Sequence, residues 1–170
     1  MNLILIGFMG AGKTSTGRIL AKQLNYRFVD TDNLIEQQNG MTIANIFDRK
    51  GEAFFRQQET AILKQLSGAD NTVIATGGGI VLREENRLML KELGSVIYLQ
   101  TSAAEILKRI DGDTSRPLLN VADKYAEISK RLAEREPLYQ AAANCITNTF
   151  TGQPEKSAER ILQLLKLEGK

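Results

Sequence analysis

The residues with the plainest chemistry lie within the first fifteen of the chain. Gly7-Phe8-Met9-Gly10-Ala11-Gly12-Lys13-Thr14 fits the spacing G-x-x-x-x-G-K-[ST]. Glycines at these positions let the backbone wrap closely, so that several N–H groups face one phosphate. A helix starting near Gly12 adds the positive end of its dipole. Lys13 is then placed to reach the β- and γ-phosphates, and the Thr14 hydroxyl to ligate Mg²⁺. The expected ATP-binding set from this segment is Gly10, Ala11, Gly12, Lys13, Thr14 and Ser15. A chance match of this pattern arises on the order of once in a few hundred chains of this size, and here it also lies between a strand and a helix, as the motif requires.

Three further groups have side chains suited to a second ligand. Asp30 and Asp32 follow the second apolar run, Thr76-Gly77-Gly78-Gly79 follows the third, and Arg116-Pro117-Leu118-Leu119 lies in a polar stretch after the fourth. In an open parallel sheet, the loops after all strand C-termini share the edge that carries the phosphate loop. These groups are therefore expected to line one crevice. Taken singly, each has a plainer use: Asp30 and Asp32 as helix caps, the glycines as a turn, and Arg56 and Arg135 as surface ion pairs.

The elements that must hold these groups alternate. Apolar strands are expected at Leu3–Ile6, Arg27–Val29, Val73–Ala75 and Ser95–Leu99, with a weaker fifth at Asn144–Thr147. Helical spacing covers Thr14–Leu24, a stretch from Asn33 to the break at Gly40, a restart capped by Thr42, and Glu52–Leu66. It resumes at Arg83–Leu93, after the Ser102-x-x-Glu105 capping box, at Lys124–Glu134 and at Pro154–Leu167. Strands alternating with helices imply one α/β domain whose parallel sheet is covered on both faces.

Composition narrows the chemistry. The 170 residues include no histidine, which excludes a His-based triad or a His-ligated metal. A net charge of +2 gives little reason for a nucleic-acid partner. The single cysteine, Cys145, cannot close an internal disulfide, which fits a reducing compartment. No apolar run approaches the roughly 20 residues of a membrane span, so a cytoplasmic protein is expected. No Asn-Lys-x-Asp guanine-reading motif is present. A small-molecule kinase is the class left, with a second site for an acceptor.

The order of GFMGAGKTSTGRILA, FVDTDNLIE, IANIFDRKGEAFFRQQE, ATGGGIVL, SRPLL and EREPLY resembles the shikimate kinases, within the nucleoside-monophosphate-kinase-like group. The phosphate loop alone is generic, whereas the joint order of these segments along nearly the whole chain is specific. The resemblance implies a three-layer P-loop kinase fold with a five-stranded parallel sheet and a mobile lid at about 111–123. It implies ATP and shikimate as substrates, Mg²⁺ as cofactor, and a monomer. Lys13, Asp32 and Arg116 are implied as catalytic, with Asp32 meeting the proton of the attacked hydroxyl and Arg116 closing from the lid. Arg56 and Arg135 would clamp the acceptor carboxylate, beside the backbone of Gly77, Gly78 and Gly79. Arg109, Gln153 and Pro154 would flank the adenine, and Asp30 would join Thr14 at the metal, through water. One departure is Lys-Thr-Ser where many relatives have Lys-Ser-Thr; either hydroxyl can ligate Mg²⁺. A gluconate kinase of the same fold is the nearest alternative. A non-catalytic ATP-sensing module is another, from a different class.

Overall fold

The computed structural model describes residues 1–110, 122–150 and 152–168. Five strands, β1 (Leu3–Ile6), β2 (Arg27–Asp30), β3 (Thr72–Ala75), β4 (Ser95–Gln100) and β5 (Cys145–Asn148), form one sheet in the order β2-β3-β1-β4-β5. Every pairing is parallel, with Leu3 opposite both Val73 and Ser95. The central position of β1 follows from its sequence: all four residues of Leu-Ile-Leu-Ile are buried, as a strand covered on both faces demands.

Alternation along the strands divides the core in two. Ile4, Ile6, Ile74, Val96 and Tyr98 face one layer, while Leu3, Leu5, Val73, Ile97 and Leu99 face the other. The second layer is closed by α1 (Lys13–Leu24) and α7 (Pro154–Glu168), through Leu20, Ala21, Ala158 and Ile161. The first is closed by α2 (Thr31–Asn39), α3 (Ile43–Gln65), α4 (Glu84–Leu93), α5 (Ala103–Ile110) and α6 (Lys124–Ala142). Each fully buried Ile or Leu in these layers contributes about 1.5–3 kcal/mol relative to exposure. This is the expected architecture, with helices on both faces of a five-stranded parallel sheet.

Three boundaries differ from expectation for identifiable reasons. Helix α2 begins at Thr31, not Asn33, because the Asp30 side chain caps it by accepting from the N–H groups of Asp32 and Asn33. The stretches expected from Thr42 and from Glu52 meet as α3, kinked at Gly51 (φ 83°, ψ 167°), a conformation in which a side chain would be strained. Thr42 does cap the first part, accepting from Asn45 N–H at 3.2 Å. Helix α6 runs eight residues past Glu134, through Pro137, although an interior proline costs about 3 kcal/mol. Ile128, Arg135, Tyr139 and Ala142 are all buried along one face of α6; their packing holds both halves in register. Of the capping box expected at Ser102, the cap itself is formed, with Glu105 N–H donating to the Ser102 hydroxyl at 3.3 Å. The expected lid falls largely at 111–121, outside the described residues, and Arg116 with it.

Candidate active site

The loops after β1, β2 and β3 meet at one edge of the sheet, where two adjoining cavities open. The smaller, about 200 Å³, is floored by the phosphate loop and includes Gly10, Gly12, Lys13, Thr14 and Ser15. The larger, about 440 Å³, lies between α2, α3 and α6. Met9, Thr14, Asp30, Asp32 and Gly78 line both, so that the two spaces share a wall.

The phosphate loop takes its shape from backbone chemistry. Gly12 caps α1 in the left-handed region (φ 87°), where a side chain is disfavoured, and turns the chain into the helix. Lys13 is buried, and its ammonium donates to the carbonyls of Gly7 and Phe8 at 2.7 and 2.8 Å, across the loop. Thr14 donates its hydroxyl to Asp30 Oδ2 at 2.7 Å, while Asp30 Oδ1 caps α2. The capping reading of Asp30 and the metal-site reading are therefore compatible: one carboxylate oxygen serves each. The pair presents two hard oxygens beside the phosphate cavity, which suits Mg²⁺. Among the described residues no group of three or more carboxylate or thiol side chains could hold a metal by itself.

A third cavity, about 210 Å³, lies on the other side of the phosphate loop. Ala11, Gly12, Ser15, Arg109, Phe150 and Pro154 are among its walls. Arg109 spans it, donating to the Gly10 carbonyl at 2.7 Å and to the Thr149 hydroxyl at 3.3 Å. Pro154, at the start of α7, lines the same cavity. Gln153 is not among the lining residues; its carbonyl accepts from Ser157 N–H in the first turn of α7.

The larger cavity holds both arginines of interest. Arg56 is 8% exposed, and its Nη1 donates to Glu59 at 2.8 Å while Nε and Nη2 donate to Glu52. Burial opposes its charge, but the two carboxylates outweigh burial and hold the guanidinium above its ordinary value. The surface ion pair first thinkable for Arg56 is thus replaced by a buried one. Arg135 is 4% exposed, with its guanidinium 5.4 Å from the centre of the Phe8 ring.

The glycines of the third loop are required by close approach. A Cβ on Gly77 would lie 2.5 Å from Asp32 Oδ1 and 3.1 Å from Glu59 Oε1. One on Gly79 would lie 2.2 Å from Arg56 Nη1. The backbone therefore runs directly against the acidic and basic side chains of the cavity. Gly77 N–H is held by the Thr31 hydroxyl at 3.1 Å.

Several cavity residues have no assigned part in the sequence reading. Glu59 is fully buried; burial pushes its carboxyl up to about 7, with Asp32 adding to this and Arg56 and Arg135 opposing it. Its Oε1 has no hydrogen-bond partner among the described residues. Phe47 and Phe55 form one wall with rings 4.9 Å apart, and Met9 lines both cavities. The available signal for Glu59 was its spacing of three from Arg56 on one helix. Nothing local points to Phe47 or Met9.

A family model for shikimate kinase matches residues 9–166. The shikimate kinase of Neisseria gonorrhoeae is 45% identical over 164 residues, which is 96% of this chain and 94% of that protein. Among solved structures, the shikimate kinase of Acinetobacter baumannii in complex with shikimate superposes with a TM-score of 0.95. It is 41% identical, over 99% of this chain and 94% of that one. The shikimate kinase of Bacteroides thetaiotaomicron gives 0.88 at 31% identity, over 98% of both chains.

Proposed function

This chain belongs to the shikimate kinase family, and we propose that it transfers the γ-phosphoryl group of ATP to the 3-hydroxyl of shikimate, giving shikimate 3-phosphate and ADP. The observation that carries this reading is that the two cavities adjoin along Thr14, Asp30, Asp32 and Gly78. A phosphate bound in the loop and an acceptor in the larger cavity would share one reaction space. Phosphoryl transfer asks little covalent work of a protein, so positioning and charge neutralisation carry most of the rate.

Each residue has a distinct part in this scheme. The N–H groups of Gly10 to Ser15 cradle the phosphates, and Lys13 exchanges its loop carbonyls for phosphate oxygens. Asp32 accepts the proton of the attacked hydroxyl as the bond to phosphorus forms and the bond to ADP breaks. Arg56 keeps two of its five N–H donors beyond those engaged by Glu59 and Glu52. It and Arg135 hold the acceptor carboxylate, a task suited to planar guanidinium groups. Gly77, Gly78 and Gly79 let the acceptor approach the backbone. Arg116, proposed from the family pattern alone, would neutralise charge on the transferring group. Arg109 and Pro154 flank the base, with Gln153 contributing through the α7 turn.

Thr14 and Asp30 would hold Mg²⁺, directly or through water; when bound it neutralises phosphate charge. We place the reaction in the cytoplasm, in keeping with the single cysteine and the use of ATP, and take residues 1–170 as one domain acting as a monomer. Among the described residues no helix is long and apolar enough to cross a membrane.

The deciding experiment is ADP release with Mg·ATP, without acceptor and with shikimate, gluconate or a nucleoside monophosphate. Strong release with shikimate alone is expected. Release with gluconate instead, or ATP binding without any acceptor response, would overturn the assignment.

A further inference from the structure

The face of α6 that carries Arg135 also carries Tyr139, four residues on, to which the scheme above gives no part. Tyr139 is fully buried, and its hydroxyl donates to the carbonyl of Gly78 at 2.5 Å. The Arg135 guanidinium, one helical turn back on the same face, is near enough to act on this phenol electrostatically. One phenol therefore ties α6, the helix that carries Arg135, to the glycine loop of the larger cavity. Its ring stacks on Tyr98 of β4 with centroids 4.9 Å apart and planes 22° apart. Tyr98 in turn donates to Glu136, the residue after Arg135. The phenol is thus fixed from behind by the sheet.

We propose that Tyr139 is a positioning residue for the acceptor site, setting the orientation of the Gly78–Gly79 peptide beside Arg135. The proposal rests on the kinase reading for the identity of the acceptor, though not for the contact itself. A trans peptide is planar, with its C=O and N–H pointing in opposite directions. Holding the Gly78 carbonyl toward α6 therefore aims the Gly79 N–H away from α6. Gly78 lines both cavities, and Gly79 touches Arg56. A rotated peptide would consequently disturb the floor under the acceptor and the space that Arg56 occupies. Tyrosine suits the position because its rigid ring brings a hydroxyl to the far side of the sheet-packed layer while burying a large apolar area.

Tyr139→Phe removes the hydroxyl and keeps the stack on Tyr98. The expected result is a rise of about ten-fold in acceptor KM, the equivalent of one lost hydrogen bond, with the KM for ATP within two-fold of wild type. In the free protein, the amide signals of Gly78 and Gly79 are expected to shift or broaden in nitrogen-15 NMR spectra while those of β1 stay in place. Tyr139→Leu, which removes the stack as well, is expected to lower the melting temperature further without a further rise in acceptor KM. A purely structural role would lower the melting temperature and leave acceptor KM and the glycine amide signals unchanged; that outcome overturns the proposal. If wild type fails to turn over shikimate, the kinase reading fails, and the amide signals still decide whether Tyr139 orients the loop.

Discussion

The sharpest test of the acceptor site is Gly79→Ala, because a single methyl group is aimed at one arginine. The backbone at Gly79 (φ −94°, ψ 3°) is open to alanine, so no conformational strain confuses the result. The new Cβ would stand 2.2 Å from Arg56 Nη1 and 2.6 Å from Cζ and Nη2. Ordinary contact begins near 3.4 Å, so the guanidinium must retreat by roughly 1 Å, the scale of misplacement that costs about 100-fold in rate. Retreat is resisted by the bonds to Glu59 and Glu52, and overpacking of this kind costs about 1–3 kcal/mol of stability. Acceptor kcat/KM is therefore expected to fall about 100-fold, on the same ground, with little change in the KM for ATP. The assay is ADP release, with each substrate titrated at saturation of the other. Gly68→Ala, where nothing lies within 4 Å of the added methyl, serves as the control and should be kinetically silent. Because the damage acts through Arg56, adding Gly79→Ala to an Arg56→Ala protein should cost almost nothing more. A folded Gly79→Ala enzyme with acceptor kcat/KM near normal would refute the placement of the acceptor carboxylate against Arg56.

Glu59 predicts a pH dependence of stability. Its folded-state value of about 7 lies above the ordinary 4.5, so the folded state binds more protons between these limits. Its contribution is complete below about pH 4.5 and is lost as pH rises through 7, about 3 kcal/mol in all. Urea unfolding at stepped pH should show this decline, and Glu59→Gln should flatten it; an unchanged slope in the variant would sink the assignment. Lys13→Ala should retain its fold in circular dichroism while turnover falls about 1,000-fold, as loss of a transition-state charge contact implies. Near-normal turnover would remove Lys13 from the reaction. Asp30→Ala removes the α2 cap, costing about 1 kcal/mol in thermal or urea melts, and should raise the Mg²⁺ concentration needed for half-maximal turnover. Asp32→Asn should lower kcat with the Mg²⁺ requirement unchanged; the reverse pattern would exchange the two roles.

Much of this molecule is legible in its sequence because the determining interactions are local. The phosphate loop is written in consecutive residues, since its function uses backbone N–H groups and the next helix. Continuous apolar runs mark β1, β3 and β4 because a parallel sheet buries both faces of each strand. Thr42 and Ser102 announce their helices because a cap reaches only three residues. The convergence of the Asp30, Asp32 and Gly77–Gly79 loops follows from parallel topology, which places all strand C-termini on one edge. What tertiary structure decided lies beyond that range. Helix α6 continues through Pro137 because four buried residues along its face pack across the whole core, a gain no local propensity contains. Arg56 changes from a surface charge to a buried ion-paired one, and Glu59 from an ordinary acid to one that holds its proton near neutrality, because folding removes water from both. Tyr139 meets Gly78 across 61 residues of chain. Such contacts depend on where distant elements dock, and that is set by the summed burial of the two core layers, with no signature at either residue.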